Sequence, residues 1–243
     1  MRPSPSRWPA GLAVLLLLGG AGRALPSQAI GQGSELERAG QYEQAASLYF
    51  ATLRADATNL SALLGLERVL PPLNRLIELV PVAQRAALAS PRNPGVRAVL
   101  LRTYVALNEA DSAGTVALAW AADAPGDEAP YREWAIALED FHHPDAAREV
   151  LLLGRRAVGR PAALGIELAE LDQRTGAWES AAREWAAALA VVPTQLANAA
   201  SALAETPDAQ RERVTLLLTA GDPPPLTRRL AGELLLAWGQ PER

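Results

Sequence analysis

The sequence predicts an all-α solenoid, in which antiparallel pairs of helices stack one on the next. Two observations lead to this prediction. Ala and Leu dominate the composition while aromatic residues make up only 5% of it, so helix formers are abundant and strand formers are scarce. The chain also repeats itself with a period of about 34 residues, which is typical of stacked helical units.

A short motif carries this period. It begins at Gly40 and again at Gly176, four periods later. Intermediate copies begin at Asn108 and His142, and a weaker copy begins at Asn74. Helix-stopping residues keep the same interval: Pro91, Pro125, Gly159 and Pro193.

Each unit is predicted to contain two helices, a short turn between them, and a Pro or Gly that ends the second helix. In the fifth unit we expect helices at 162–175 and 179–192, with Gly176 in the turn. Neither helix is apolar enough to be stable by itself. Successive pairs must therefore bury a shared apolar seam, and stability is approximately a sum over units and their interfaces.

This pattern resembles the tetratricopeptide repeat (TPR) family. The family's small residue in the second helix corresponds to Ala45, Ala113, Ala147 and Ala181, and its bulky residue to Tyr49, Leu151 and Trp185. The resemblance covers about residues 26–229 and implies a right-handed α-solenoid of about six repeats. The units are expected near 26–59, 60–93, 94–127, 128–161, 162–195 and 196–229, with a last helix at 226–238.

Two units depart from the pattern. In the second unit Leu79 replaces the small residue, and three prolines interrupt the helices, so an irregular segment is expected there. Those prolines are Pro71, Pro72 and Pro81. In the sixth unit Thr215 falls on the small position, and Asp-Pro-Pro-Pro at 222–225 stops the helix. Gly239 then begins another turn-like segment. Two interpretations are equally open: the sequence is a piece of a longer array, or its last helix pairs with something else.

The N-terminal segment has the pattern of a secretory signal peptide. A basic start precedes an apolar run at 10–18, and small residues follow it. Cleavage after Ala24 or after Ala29 fits; with the preferred Ala29, the signal peptide is 1–29 and the helical domain is 30–243. We therefore expect an exported protein, periplasmic or secreted. A retained membrane anchor stays open, although the run is shorter than the ~20 residues that span a bilayer.

Composition excludes several classes of function. The chain has no Cys and no Lys, which removes thiolate, iron–sulfur, Schiff-base and P-loop chemistry. Without residues 1–29, 20 Arg face 27 acidic residues, so the net charge is −7 and nucleic-acid binding is not expected. His142 and His143 have no third histidine to complete a metal site, so neither a metal nor a cofactor is predicted.

The resemblance implies a concave binding face on the first helices of the units. Carried over by position, its residues are Arg68, Arg102, Arg132, Ile136, Glu139, Ile166, Glu170 and Gln173. Charge along this face runs from basic to acidic, which suits an extended peptide of matching polarity. Solvated helix surface with no binding role is an equally open interpretation.

The sequence thus predicts an exported, non-catalytic TPR scaffold that mediates protein–protein interaction or complex assembly in the bacterial cell envelope. Usage of Ala, Arg and Pro without Lys is the reason for expecting a bacterial source. The alternative is an enzyme or enzyme subunit that acts on envelope glycan or peptide, with its acid and base among the carboxylates Glu139, Asp140, Glu167 and Glu170. A structural spacer is a third possibility.

Overall fold

The computed structural model describes residues 26–240, and this part of the chain is helical without any strand. The predicted all-α class is confirmed. Thirteen α-helices follow one another within residues 26–240. They are α1 (Pro26–Arg38), α2 (Tyr42–Ala55), α3 (Leu60–Val69), α4 (Leu79–Ala89), α5 (Pro94–Ala106), α6 (Ala110–Asp123), α7 (Ala129–Asp140), α8 (Pro144–Val158), α9 (Gly165–Arg174), α10 (Trp178–Leu189), α11 (Leu196–Ala204), α12 (Asp208–Thr219) and α13 (Pro225–Ala237).

The helices pack only on their near neighbours in sequence. α1 packs on α2 and α3, and α5 packs on α6 and α7. Toward the C-terminus, α10 packs on α9 and α12, and α13 packs on α11 and α12. Contacts of this kind define a solenoid, in which each unit is stabilised by the units beside it. Odd-numbered helices are called first helices below, and even-numbered ones second helices.

The turns inside the first five units share one geometry. One residue in each of these turns has a positive φ: 72° at Gly40, 57° at Asn74, 60° at Asn108, 62° at His142 and 79° at Gly176. Its N–H donates to the carbonyl three residues back, and the next N–H donates five residues back. This is the Schellman motif, which suits Gly and tolerates Asn. The predicted equivalence of these turns is confirmed, including the weak copy at Asn74.

Interior positions of the second helices also follow the prediction. Tyr49 and Leu151 are fully buried and Trp185 is 1% exposed. The small residues four positions before them are fully buried as well: Ala45, Ala147 and Ala181. Leu79, which takes the small position in the second unit, is also fully buried. These side chains form the seam along which the helix pairs stack.

The second unit is irregular, as its prolines predict. α3 ends at Val69, and two 3₁₀ segments, Pro71–Leu73 and Leu76–Glu78, come before α4. Asn74 lies between these segments in the left-handed conformation, with φ 57°. Proline cannot donate a backbone hydrogen bond, so the regular helix stops where Pro71 begins.

The predicted interior position in the sixth unit is wrong by one residue. Thr215 is only half-buried, whereas Val214, one residue earlier, is fully buried and takes the interior position. The turn before α12 lacks the second hydrogen bond of a Schellman motif, because Pro207 has no N–H to donate. α12 begins at Asp208, 30 residues after the start of α10 at Trp178 rather than 34, and Leu218 takes the bulky position.

The predicted helix bounds in the fifth unit are also wrong. Its first helix begins at Gly165 rather than at residue 162, and its second ends at Leu189 rather than at residue 192. In earlier units a polar side chain accepts a backbone N–H where the first helix begins: Asn59 from Ala62, Asn93 from Gly95, and Asp127 from Ala129. The corresponding residue is Pro161, which cannot act as a cap, so α9 begins late.

Most of the expected signal segment lies outside the described residues. α1 begins at Pro26, and Ala29 is inside this helix with a side chain 7% exposed. Within residues 26–240 we find no helix with both the length and the apolar character that crossing a bilayer requires.

Candidate functional site

Ion pairs between successive units cover the first-helix face, which is the surface formed by the odd-numbered helices. Arg68 of α3 binds Glu37 of α1 through two N–H groups, at 2.6 and 3.0 Å. Arg102 of α5 binds Glu67 in the same way, at 2.7 and 2.9 Å, and also reaches Glu133 at 3.2 Å. Each arginine thus ties its helix to the first helix of a neighbouring unit.

These contacts change the protonation equilibria of the partners. The hydrogen bonds from Arg68 lower the pKa of Glu37, and the bond to Glu67 raises the pKa of Arg102. Both shifts favour the charged forms, although the pairs are partly open to water and each contributes about 1 kcal/mol or less. The two arginines expected to bind a peptide carboxylate are therefore already satisfied by side chains of the chain itself.

The first helices α7 and α9 are not closely packed on each other. Among consecutive first helices in residues 26–240, α7 and α9 have the fewest close backbone contacts, and α9 and α11 have only a few. The late start of α9 contributes to this gap, because the segment 159–164 forms a turn instead of a helix. Leu164 there adopts φ 55°, an uncommon conformation for a residue with a side chain.

Arg155 of α8 holds this turn in place. Its Nε donates to the Ala163 carbonyl oxygen at 2.9 Å, and its other nitrogens bind both oxygens of Glu184 at 2.6 and 2.9 Å. Leu164 itself is 1% exposed, so its side chain is packed in the core although its backbone conformation is unfavourable. The displaced start of α9 is thus fixed by packing and by a bidentate ion pair.

The gap between α7 and α9 is a groove of about 550 Å³, called the α7/α9 groove below. Four of the predicted site residues line it together: Arg132, Ile136, Glu139 and Glu170. Its remaining lining residues are Ala135, Asp140, Leu151, Glu167 and Arg174. All four carboxylates considered as acid or base are therefore in one groove.

Charges in the groove are only partly neutralised. Arg132 binds Glu167, and Arg174 binds Glu139, so both arginines are occupied. Glu170 has no ion pair or hydrogen bond to its side chain among the described residues. Partial burial raises the pKa of Glu170, and Glu167 and Glu139 raise it further, while Arg174 opposes them. The groove keeps an excess of negative charge.

A second concavity, called the apolar pocket below, adjoins the groove and measures about 610 Å³. Asp140 lines both. Ile77 and Phe141 are exposed in the apolar pocket by 57% and 43%. The other lining residues are Glu67, Pro71, Asn74, Leu76, Arg102, Thr103, Ala106 and Leu107. The irregular segment of the second unit therefore provides one wall of this pocket.

Three predicted residues do not line the α7/α9 groove or the apolar pocket. Arg68 is engaged with Glu37. Ile166 is partly buried against the C-terminal core, and Gln173 donates to Glu205 at 3.3 Å. Conversely, carrying over the family's binding positions did not identify Arg174, Ile77 or Phe141 as lining residues. Phe141 follows the last helical residue of α7, so a search restricted to helical positions does not find it.

One ion pair of the fifth unit is internal. Asp172 is fully buried and binds Arg148 at 2.9 Å, but its Oδ2 has no hydrogen-bond partner among the described residues. The equivalent positions of the four preceding units hold three leucines and a tyrosine: Leu36, Leu70, Tyr104 and Leu138. Burial of a carboxylate in place of a leucine costs stability, and removes that carboxylate from any role in the groove.

The two histidines lie together at an exposed turn. His142 and His143 are both exposed at the turn after α7. In the part of the chain from 26 to 240, we find no group of three or more His, Asp or Glu side chains arranged to hold a metal ion.

No protein-family model matches the chain, and no curated protein matches it. Solved structures are similar to it. One is a thermophilic TPR protein from Thermus thermophilus, with 22% identity over 74% of this chain and 99% of that chain, at a TM-score of 0.44. Another is a TPR protein from Parabacteroides merdae, with 14% identity over 89% and 88% of the two chains, at a TM-score of 0.44. A third is a MamA protein, with 13% identity over 77% and 94%, at 0.43.

The chain's own helices define its class. Five helix pairs turn through the same hydrogen-bonded motif at a constant interval along the chain, and the first, fourth and fifth pairs bury a small and a bulky residue at equivalent positions. The protein is an α-solenoid of the tetratricopeptide repeat type, with an open groove on the first-helix face of its fourth and fifth units.

Proposed function

We propose that this chain is an exported, non-catalytic scaffold of the bacterial cell envelope, and that it binds a segment of another protein in the α7/α9 groove. The observation that carries the proposal is the gap between α7 and α9, which forms a groove on the first-helix face with room for a guest. Strain at Leu164 and the uncompensated Glu170 are typical of binding sites, because both reduce the stability of the free protein.

The test is site-specific photocrosslinking in cells of the source bacterium. A benzophenone amino acid at Ile136, which is 42% exposed in the groove, is expected to form covalent adducts with an envelope protein. The matched control is the same amino acid at Leu118 of α6, which is 49% exposed on a second helix. Adducts at both positions, or at Leu118 alone, would contradict binding in the groove.

Export is the second part of the proposal, and it is supported by the basic, apolar and small-residue pattern of the segment 1–29. Cleavage after Ala24 is favoured over cleavage after Ala29, since the latter would remove the first four residues of α1, including the buried Ala29. N-terminal sequencing of the protein from the envelope fraction should then begin at Leu25. A chain that stays in the cytoplasmic fraction would exclude export.

An enzyme acting on envelope glycan or peptide is the second candidate. It is favoured by four carboxylates in one groove, of which Glu170 has a raised pKa, as a general acid requires. It is weakened by the ion pairs that engage Glu139 and Glu167. Incubation of the purified chain with envelope glycan should release no reducing ends. Release that disappears in Glu170→Gln would favour the enzyme over the scaffold.

A further inference from the structure

We infer that the guest is an extended peptide segment with a cationic side chain next to Glu170 and an apolar side chain in the apolar pocket. This inference rests on the proposed function and specifies the chemistry of its partner. It is carried by the continuity of two different surfaces, the acidic α7/α9 groove and the apolar pocket, through the shared residue Asp140.

The apolar end of this surface is accessible. Ile77 and Phe141 expose 57% and 43% of their surface, although both are large hydrophobic residues in a pocket of about 610 Å³. Leu76 and Leu107 line the same pocket. An aliphatic or aromatic side chain of a guest would remove this surface from water, which is the main source of affinity in small interfaces.

The acidic end selects the charge of the guest. Four carboxylates and two arginines line the groove. Both arginines bind glutamates of the groove, which leaves Asp140 and Glu170 without an ion pair among the described residues. An anionic peptide would meet uncompensated carboxylates of the same sign, whereas Lys or Arg would satisfy them.

The distance between the two ends suits a chain of several residues. The apolar pocket lies beside α5 and the groove lies between α7 and α9. Adjacent packed helices are about 10 Å apart, and α7 and α9 are not closely packed, so the path from α5 to α9 is at least about 20 Å, or at least about six extended residues. One peptide can therefore place an apolar side chain and a basic side chain at the two ends simultaneously.

The experiment measures binding of three fluorescein-labelled peptide pools, each of about ten residues, by fluorescence polarisation with the chain from Leu25 onward. The first pool combines Leu and Phe with Lys and Arg. The second replaces the basic residues by Glu and Asp, and the third replaces the apolar residues by Ser and Thr. We expect the first pool to bind more tightly than either of the others by about tenfold.

One groove variant, one variant of the apolar pocket and two controls locate the binding. Glu170→Gln and Phe141→Ala should each weaken binding of the first pool by about fivefold. Glu149→Gln removes an exposed carboxylate from the second helix α8, and Leu118→Ala removes an exposed apolar side chain from α6; both should leave binding unchanged. Thermal unfolding of each variant checks that it is folded.

The outcomes separate this inference from the proposed function. Equal or tighter binding of the acidic pool, or equal losses in the variants and their controls, would overturn the inference while Ile136 crosslinks could still support the groove. Absence of binding by every pool together with Ile136 crosslinks would also overturn it. Absence of both binding and crosslinks would remove the proposed function as well. A dimer in light scattering that Phe141→Ala converts to a monomer would identify a second copy of the chain as the occupant, against the inference.

Discussion

The first two units and the fourth and fifth units share the same internal turns, yet their first helices meet differently. In units 1 and 2 the ring of Tyr49 lies between α1 and α3, where the absence of side chains at Gly33 and Gly65 leaves room for it. Arg68 and Glu37 then join the same helices at the surface. In units 4 and 5 the helices α7 and α9 are separated by a groove with excess negative charge.

This difference shows which features of a repeat close the surface and which open it. Close approach needs a small residue opposite a large one. Ion pairs do not decide it, because Arg132–Glu167 and Arg174–Glu139 join α7 and α9 as well. Where the start of a helix moves and no ring fills a space between small residues, the surface remains open to a guest. The following predictions test this comparison, beginning with the largest expected effect.

Gly65→Ala tests the closed region. The added Cβ would lie 2.5 Å from the Tyr49 ring, and Tyr49 is fully buried, so neither group can move freely. We expect the variant to lose about 2 kcal/mol of unfolding free energy and about 6 °C in melting temperature, measured by circular dichroism.

Gly232→Ala is the control for this substitution. It lies in α13 with nothing within 4 Å of the new Cβ. Alanine is the better helix former, so this variant should gain up to about 1 kcal/mol. Similar melting temperatures for the two variants would mean that the Tyr49 contact does not close units 1 and 2.

Arg102→Met tests the ion pairs while keeping most of the side-chain stem. Glu67 and Glu133 would lose their shared partner, which should lower the unfolding free energy by about 1 kcal/mol and the melting temperature by about 3 °C. The difference should shrink in 1 M NaCl, where the Debye length is about 3 Å. Arg54→Met, at an exposed site on α2, should change neither value.

Glu170→Gln tests the open region and has the smallest expected effect. Because the pKa of Glu170 is raised in the folded state, that state binds the proton more readily than the unfolded chain, and ionisation of Glu170 at neutral pH costs stability. The variant should therefore melt higher at pH 7, by less than about 2 °C, although it binds cationic peptide more weakly.

The gain should disappear as the pH falls through the raised pKa, because the native glutamate is then protonated and neutral like the amide. Glu149→Gln on α8 is the comparison at each pH and should show no such gain. A lower melting temperature for Glu170→Gln at pH 7 would show that Glu170 stabilises the fold, and that the groove is not a strained site.

Much of the fold could be predicted from the sequence because turns are local. A residue that adopts positive φ after a helix is chosen by its own backbone, so Gly40 and Gly176 marked the turns directly. Asn74 had only a weak match to the motif, yet it forms the same turn. The caps Asn59, Asn93 and Asp127 keep the same interval and were a further usable signal.

The departures were harder to predict, since each depends on a hydrogen bond that one residue cannot make. Pro207 removes one hydrogen bond of the sixth turn, and Val214 takes the interior position expected for Thr215. Pro161 replaces a cap and delays α9. Both prolines were visible in the sequence, but their effect on phase depends on how the following helix packs on its neighbours.

The sequence by itself determined the helices, their pairing and the face on which Arg132, Ile136, Glu139 and Glu170 lie, because the repeat period and the turn residues act within one unit. Only the tertiary structure decided which of these charges remain without a partner. Ion pairs such as Arg68–Glu37 join residues about one repeat apart, and the gap between α7 and α9 depends on packing between units. Contacts of that kind are set by the distance and direction of whole helices, which no single unit specifies.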